Sequence, residues 1–386
     1  MKILIDMTFV SPKSMNLSIP IAVMRMLRGV PKEERGKMKL LFDTGCAEML
    51  HGMFPDYEYT TVNVHNIRKL YYDPRLLFVP FFMRSAINNS GCDAVFFPAD
   101  GNMYVKHKLK IPSVVEINDM KWLKEDTDVK RKSIRTFALR LLNGDSFKKY
   151  KNTIERASLI TTISQYTKDD LLRFFPETPS DKVYVIYLSV PEIKGSNKPE
   201  GLKEGESFIL NVNSIWPFKN LMTLLNAFKK IDNHYIGKLV IVGRTTDYWN
   251  NVLVPYIKEQ QLEDRVIHLQ NLDETELRYL YEHADLFVTP SLREGFGFTP
   301  IEAAIYGCPV VSSRSESLPE ATMEKVKYYD PATDESALAR VMKDVLENPP
   351  TKEERQELSK LFLDRYTAQN HAVNLLRLFN ILEMKK

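Results

Sequence analysis

The chain predicts an α/β protein of two doubly wound parallel-sheet domains in tandem, and three observations carry that expectation. Short, continuously apolar runs alternate with amphipathic helical stretches, the pattern of strands buried on both faces. The alternation stops once, over "PEIKGSNKPEGLKEGE" (191–206), and then restarts. The length of 386 residues exceeds the ~150–200 residues that one core usually serves. The expected division is a first domain over 1–190, a linker over 191–206, a second domain over 207–368, and a C-terminal helix over 369–386 that returns toward the first domain.

In the first half, residues 2–5 (KILI) make a strand and 20–29 a helix. Further strands are "MKLLFD" (38–43), "AVFFP" (94–98), "SVVEIN" (113–118) and "SLITTIS" (158–164). A helix begins near Gln165, and "KVYVIYLSV" (182–190) closes the series. The second half opens with the strand "FILNVNS" (208–214) and a helix, "NLMTLLNAFKKI" (220–231), whose apolar residues recur at helical spacing. Next come the strand "GKLVIVG" (237–243), the helix "WNNVLVPYIKEQQL", the strand "RVIHLQ" (265–270) and the helix "DETELRYLYEHA" (273–284), with Asp273 as its N-cap. "DLFVTPS" and "PVVSS" are strands, and "ESALARVMKDVLEN" and "TKEERQELSKLFLDRY" are late helices. In such sheets ligands bind beyond the carboxyl ends of the strands. With two domains, the expected site is the cleft between them.

Composition narrows the function classes. No run of ~18 apolar residues is present to cross a membrane, and the N-terminus "MKILIDMTFV" has a strand pattern without a signal-peptide cleavage site. Three separated cysteines, Cys46, Cys92 and Cys308, make no zinc or disulfide pattern and fit a reducing cytoplasm. The net charge of +3 argues against a nucleic-acid partner. It is unevenly spread: residues 1–190 hold 29 basic and 21 acidic side chains, the remainder 24 and 29. That asymmetry assigns any anionic partner surface to the first half.

The densest motif is "REGFGFTPIEAAIYGCPVVSS" (293–313). Thr299, Pro300 and Glu302 have the form of a capping box with proline at the first helical position, and Gly307 ends the helix. The capping box accounts for Glu302 alone. A functional account covers Glu294 and the glycines as well. A strand feeding a glycine loop and a helix N-terminus makes an anion site, while carboxylates beside it suit neighbouring hydroxyls. A ligand with both a diphosphate and many hydroxyls is a nucleotide sugar.

"EGFGFTPIE" resembles the E-x7-E motif of retaining glycosyltransferases of the GT-B fold, the family 4 group, also called glycosyl transferases group 1. "SIWPFKNL" (214–221) is similar to that family's phosphate loop, and "TTISQYTKDDL" to a segment near the end of its first domain. "DETELRYLYEHADLFVTPSLREGFG" and "GCPVVSSRSESLPE" resemble the flanks of the motif, so the likeness runs the length of the chain. The resemblance implies that Lys219 pairs with the donor diphosphate, with Ser214 beside it. It implies that Glu294 holds the sugar hydroxyls, that Gly295, Phe296 and Gly297 offer backbone contacts, that Phe298 and Thr299 line the helix opening, and that Glu302 holds the ribose. Asn271 and Leu272 fall near the expected base pocket, or form a surface turn.

The first half departs from the family. Asn118-Asp119 stands where His-Asp is usual, as a sugar-facing pair or a plain strand-end turn. Asn118 can donate a hydrogen bond but cannot shuttle a proton. The usual Gly-Gly after the first strand is replaced by "SPKSMNLSIP" (11–20), with Asn16 and Ser18 on the acceptor side. The resemblance implies transfer of a hexose or deoxyhexose with retention to a glycan or lipid-linked glycan, as in surface polysaccharide assembly, with GDP-mannose the first donor to test. Glu294, Lys219 and Asn118 are the catalytic candidates. The alternative is a catalytically impaired donor-binding or scaffold partner.

No cofactor or metal is expected, since no D-x-D stands where a donor metal would sit; "EDTD" (125–128) adjoins a basic stretch. That stretch, 129–156, sets Ile134, Phe137, Leu141 and Leu142 on one face. Lys130, Arg131, Lys132, Arg135, Arg140, Lys148 and Lys149 could then meet anionic lipid at the inner face of the membrane. The competing reading is an ordinary helix packed on its own domain.

Overall fold

The computed structural model describes residues 1–15, 17–64, 79–99, 109–120, 123–124 and 146–385. The chain divides into two compact units, Met1–Ser189 with Thr367–Lys386, and Val190–Tyr366.

The first unit runs β1 (Ile3–Asp6), α1 (Ser18–Gly29), β2 (Met38–Asp43), α2 (Ala47–Met53), β3 (Glu58–Val62), α3 (Val79–Asn88), β4 (Ala94–Phe97), β5 (Ser113–Ile117), α4 (Ser146–Arg156), β6 (Leu159–Thr162), α5 (Gln165–Phe174) and β7 (Val183–Val185). Its seven strands lie in the order β3-β2-β1-β4-β5-β6-β7, all parallel. Every residue of β1, β4, β5 and β6 is buried, as strands covered on both faces require. The chain's last helix, Ala368–Met384, returns to this unit and inserts Ala372, Leu375, Leu378 and Phe379 into the core beside β1 and α1. Gly29 permits that approach: a Cβ there would stand 2.2 Å from the carbonyl of Ala368.

The second unit runs β8 (Phe208–Val212), α6 (Leu221–Lys230), β9 (Lys238–Val242), α7 (Val254–Glu259), β10 (Val266–Leu269), α8 (Glu274–His283), β11 (Leu286–Thr289), α9 (Phe298–Ile305), β12 (Val310–Ser313), α10 (Leu318–Ala321), β13 (Lys327–Tyr329), α11 (Glu335–Glu347) and α12 (Lys352–Arg365). Its sheet is β10-β9-β8-β11-β12-β13, again parallel. The strand order reverses between β8 and β11, so the loops leaving those two strands diverge and leave a crevice at their carboxyl ends. Residues 190–206 have no helix or strand and lie along this unit: Ile193 N–H donates to the Tyr306 hydroxyl at 2.6 Å, and Asn197 Nδ2 to Thr275 at 3.0 Å.

Several elements differ from the sequence expectation. Of 182–190 only Val183–Val185 pairs as strand. The helix expected over 249–262 opens with a wide turn, Trp249–Leu253, before Val254–Glu259. Pro255 lacks the N–H that a regular helix would use there. β3 and β13 were not expected; both are sheet edges with partly exposed residues, and such strands lack the apolar run that marks a central one. Asp273 does cap α8, in a capping box with Glu276.

Candidate active site

The site is built on the two strands that flank the switch point. After β8 the chain makes a short turn, Pro217–Lys219, and Asn220 takes a left-handed φ of 57° to start α6. The Asn220 side chain donates to Pro290 O at 3.1 Å and to Ala332 O at 2.8 Å, which ties this turn to the end of β11. Leu292 N–H donates to Phe218 O at 2.8 Å and joins the two loops directly. The turn buries Lys219, and its ammonium meets Glu294 Oε1 at 2.5 Å. Phe218 lies beneath that ammonium, with Nζ 5.6 Å from the ring centroid. Ser214 stands exposed in the same loop.

The Glu294 loop is held from behind by residues that the sequence did not mark. Glu294 N–H donates to Glu316 Oε2 at 2.7 Å. Ser317 Oγ donates to Glu294 O at 2.7 Å and to Phe296 O at 3.1 Å. Glu316 achieves this from a left-handed φ of 51°, a conformation unusual for a glutamate. Both residues lie in "SRSESLPE", whose match to the family motif ran through unspecified positions, so no pattern singled them out.

The helix opening differs from the expected capping box. α9 begins at Phe298, and its N-cap is Gly297 at φ 102°, not Thr299. A side chain at 297 would be strained, and its Cβ would stand 2.9 Å from Leu318 Cδ2. Thr299 and Phe298 are half-buried in the first turn. Glu302 is therefore one turn into the helix, where its carboxylate accepts from the buried Tyr281 hydroxyl at 3.1 Å. Phe296 is 2% exposed and packs edge-on against Phe298 and Tyr366, so its side chain belongs to the core and only its backbone can face a ligand. Gly295 precedes it, half-buried. Gly307 follows the helix at φ 80°, as a helix stop. Asn271 is exposed at φ 58°, a turn geometry, with Leu272 beside it half-buried.

The candidates of the first half belong to the other unit. Asn118 and Asp119 end β5; Asn118 is buried and its Nδ2 lies 3.4 Å from Pro98 O, while Asp119 O accepts from the Tyr150 hydroxyl at 3.4 Å. Ser18 is the exposed first residue of α1. Asn16, the acidic 125–128 and residues 129–145 of the basic stretch lie outside the described residues. The rest of that stretch is α4, which buries Tyr150 and Ile154 against its own unit and exposes Lys148. Among the described residues no helix is long and apolar enough to cross a membrane, and no three His, Cys, Asp or Glu side chains gather as a metal site.

Comparison with known proteins gives this geometry a context. Residues 193–361 match the family model described as glycosyl transferases group 1. The chain is 31% identical over 199 residues to the O-antigen chain mannosyltransferase RfbU of Salmonella typhimurium, a match covering 52% of this chain and 54% of that one. It is 26% identical over 204 residues to the O-antigen chain mannosyltransferase B of Escherichia coli, covering 50% and 53%. The chain thus spans about half the length of these curated relatives. Its fold is similar to that of Anabaena HepE in complex with UDP and glucose, with a TM-score of 0.70 at 14% identity over 98% of this chain and 99% of that one. It is also similar to sucrose-phosphate synthase from Thermosynechococcus elongatus, with a TM-score of 0.69 at 16% identity over 100% of both chains. Parallel sheets in both units and the whole-chain likeness give the chain a GT-B-type fold, and within it residues 193–361 match the glycosyl transferases group 1 model.

Proposed function

We propose that the chain is a retaining glycosyltransferase that moves a hexose or deoxyhexose from a nucleoside diphosphate sugar to a glycan or lipid-linked glycan acceptor, as in surface polysaccharide assembly. The observation that carries this reading is the Lys219–Glu294 pair, 2.5 Å apart, beside the opening of α9. A cation, a run of helix N–H groups and a carboxylate suit a ligand that is anionic at one end and rich in hydroxyls at the other. GDP-mannose is the first donor to test, because both mannosyltransferase relatives share half of this chain.

In this reading the donor exchanges partners within the site. The diphosphate takes the Lys219 ammonium, a point charge suited to phosphate oxygens. Glu294, released, accepts hydrogen bonds from the sugar hydroxyls. Glu302 accepts from the ribose. The bond between the anomeric carbon and the diphosphate oxygen breaks as the acceptor oxygen bonds to the same face, and the acceptor proton passes to the leaving diphosphate. The protein contributes position and charge stabilisation. This scheme calls for no metal and no further cofactor.

A thermal-shift panel with UDP, GDP, dTDP, ADP and their common sugars tests the reading. A ligand at about 100 times its dissociation constant stabilises by ~2.7 kcal/mol. One clear hit names the base, and silence from every nucleotide refutes the donor site. The second reading, a donor-binding partner without turnover, draws on Asn118 standing in place of histidine. Donor binding without release of nucleoside diphosphate in the presence of acceptor would favour it.

A further inference from the structure

Tyr281 lies in α8, 1% exposed, with its hydroxyl 3.1 Å from Glu302 Oε2. Its ring is locked in place. It stacks on Tyr306 at a centroid distance of 6.1 Å and an interplanar angle of 12°, and tilts against Phe287 at 5.9 Å. Tyr306 is itself held, by Ile193 N–H at its hydroxyl (2.6 Å) and by Arg278 over its ring at 5.3 Å. Burial and the neighbouring Glu302 carboxylate raise the Tyr281 pKa well above its ordinary value, so the phenol remains a donor.

A phenylalanine would fill the same space in this core. The hydroxyl adds one thing: a directed hydrogen bond to a half-buried carboxylate in the second turn of α9. A carboxylate has two acceptor oxygens and can receive two adjacent hydroxyls side by side. It does so at least cost in rotamer entropy when its plane is fixed in advance.

We propose that Tyr281 is a positioning residue that orients Glu302 to receive the paired 2′- and 3′-hydroxyls of the donor's ribose. The inference rests on the nucleotide-sugar reading above. It makes the ribose preference of the site depend on a residue that no ligand would touch.

The test is a calorimetric titration of the wild-type chain, Tyr281→Phe, Glu302→Gln and the double variant with GDP, UDP and their 2′,3′-dideoxy forms. The wild type is expected to prefer the ribose form by about tenfold or more, the loss of charge-assisted hydrogen bonds. Tyr281→Phe is expected to lose most of that preference while binding the dideoxy form within about twofold of wild type, which reports an intact diphosphate site. Glu302→Gln, a change at a half-buried side chain, should lose the same preference, and Tyr281→Phe should then add nothing. An unchanged preference in Tyr281→Phe, or additive effects in the double variant, would overturn the proposal. Equal wild-type binding of ribose and dideoxy forms would overturn it while leaving the nucleotide-sugar reading in place. Failure of the wild type to bind any of these nucleotides would overturn both.

Discussion

Lys219 and Glu294 are 75 positions apart in the chain and 2.5 Å apart in space, each with a side chain less than one-sixth exposed. The two strands that precede them, β8 and β11, are hydrogen-bonded neighbours at the point where the strand order reverses. The ammonium is thus neutralised before any ligand arrives. A diphosphate binding here replaces one anionic partner by another, so the carboxylate competes with the ligand for the same charge.

That competition separates two variants. Lys219→Ala is expected to weaken nucleoside diphosphate binding at least about tenfold, as a lost charge-assisted contact costs ~1.5–3 kcal/mol. Glu294→Gln should bind the bare nucleoside diphosphate as tightly as wild type or more so, because Lys219 no longer has a rival anion. Its sugar transfer should fall by about a hundredfold or more. Calorimetry with GDP or UDP, alongside a transfer assay, checks both; unchanged transfer by Glu294→Gln would remove that residue from the mechanism.

Ser317 serves two carbonyls of the glycine loop with one hydroxyl. Ser317→Ala removes both hydrogen bonds in a region where Ser317 itself is fully buried. The expected loss is ~1–3 kcal/mol of stability, measured by urea unfolding. Transfer activity should decline further than nucleotide affinity, because the loop that presents Glu294 would lose its support. A variant as stable and active as wild type would show that the loop needs no such tie.

Sugar transfer is expected to continue in excess EDTA. The charge that a metal would supply at the diphosphate is assigned to Lys219 and to the α9 N-terminus. Abolition by EDTA, with recovery on adding magnesium or manganese, would contradict that assignment.

His371 gives the first unit a pH dependence. It is 3% exposed in the last helix, and burial lowers its pKa from 6.5 to about 4. The unfolded chain therefore binds the proton more readily than the folded one. Stability is complete above pH ~6.5 and falls as pH drops toward about 4, by up to ~3 kcal/mol for this one group. Melting curves at pH 7 and pH 5 should show a larger acid loss for wild type than for His371→Leu. Equal losses would assign the acid sensitivity elsewhere.

Part of the architecture is legible in the chain without coordinates. β8, β9, β11 and β12 each carry a short apolar run, Phe208–Leu210, Leu239–Val242, Leu286–Val288 and Val310–Val311, and such runs alternating with amphipathic helices read as strands of a covered parallel sheet. Asp273 is legible as a cap because N-cap chemistry is local, involving an N–H only three residues away. Thr299 is the counter-example. Its local pattern fits a cap, but the chain already turns into the helix at Gly297, whose φ of 102° only glycine adopts freely, and Thr299 falls within the first turn. The edge strands β3 and β13 are illegible for a different reason: half their residues face solvent and carry no apolar signature.

By itself, then, the sequence determined the alternation of strand and helix, the restart after residue 206, and which residue types stand at the ends of β8 and β11. These follow from hydrophobic period and from turn chemistry, both readable within a window of about a dozen residues. Only the tertiary structure decided that Lys219 is already paired with Glu294, that Glu316 and Ser317 brace the loop between them, and that a core tyrosine reaches Glu302. Each of those contacts joins residues 21 or more positions apart. Their meeting depends on strand order and helix packing, which no local pattern encodes.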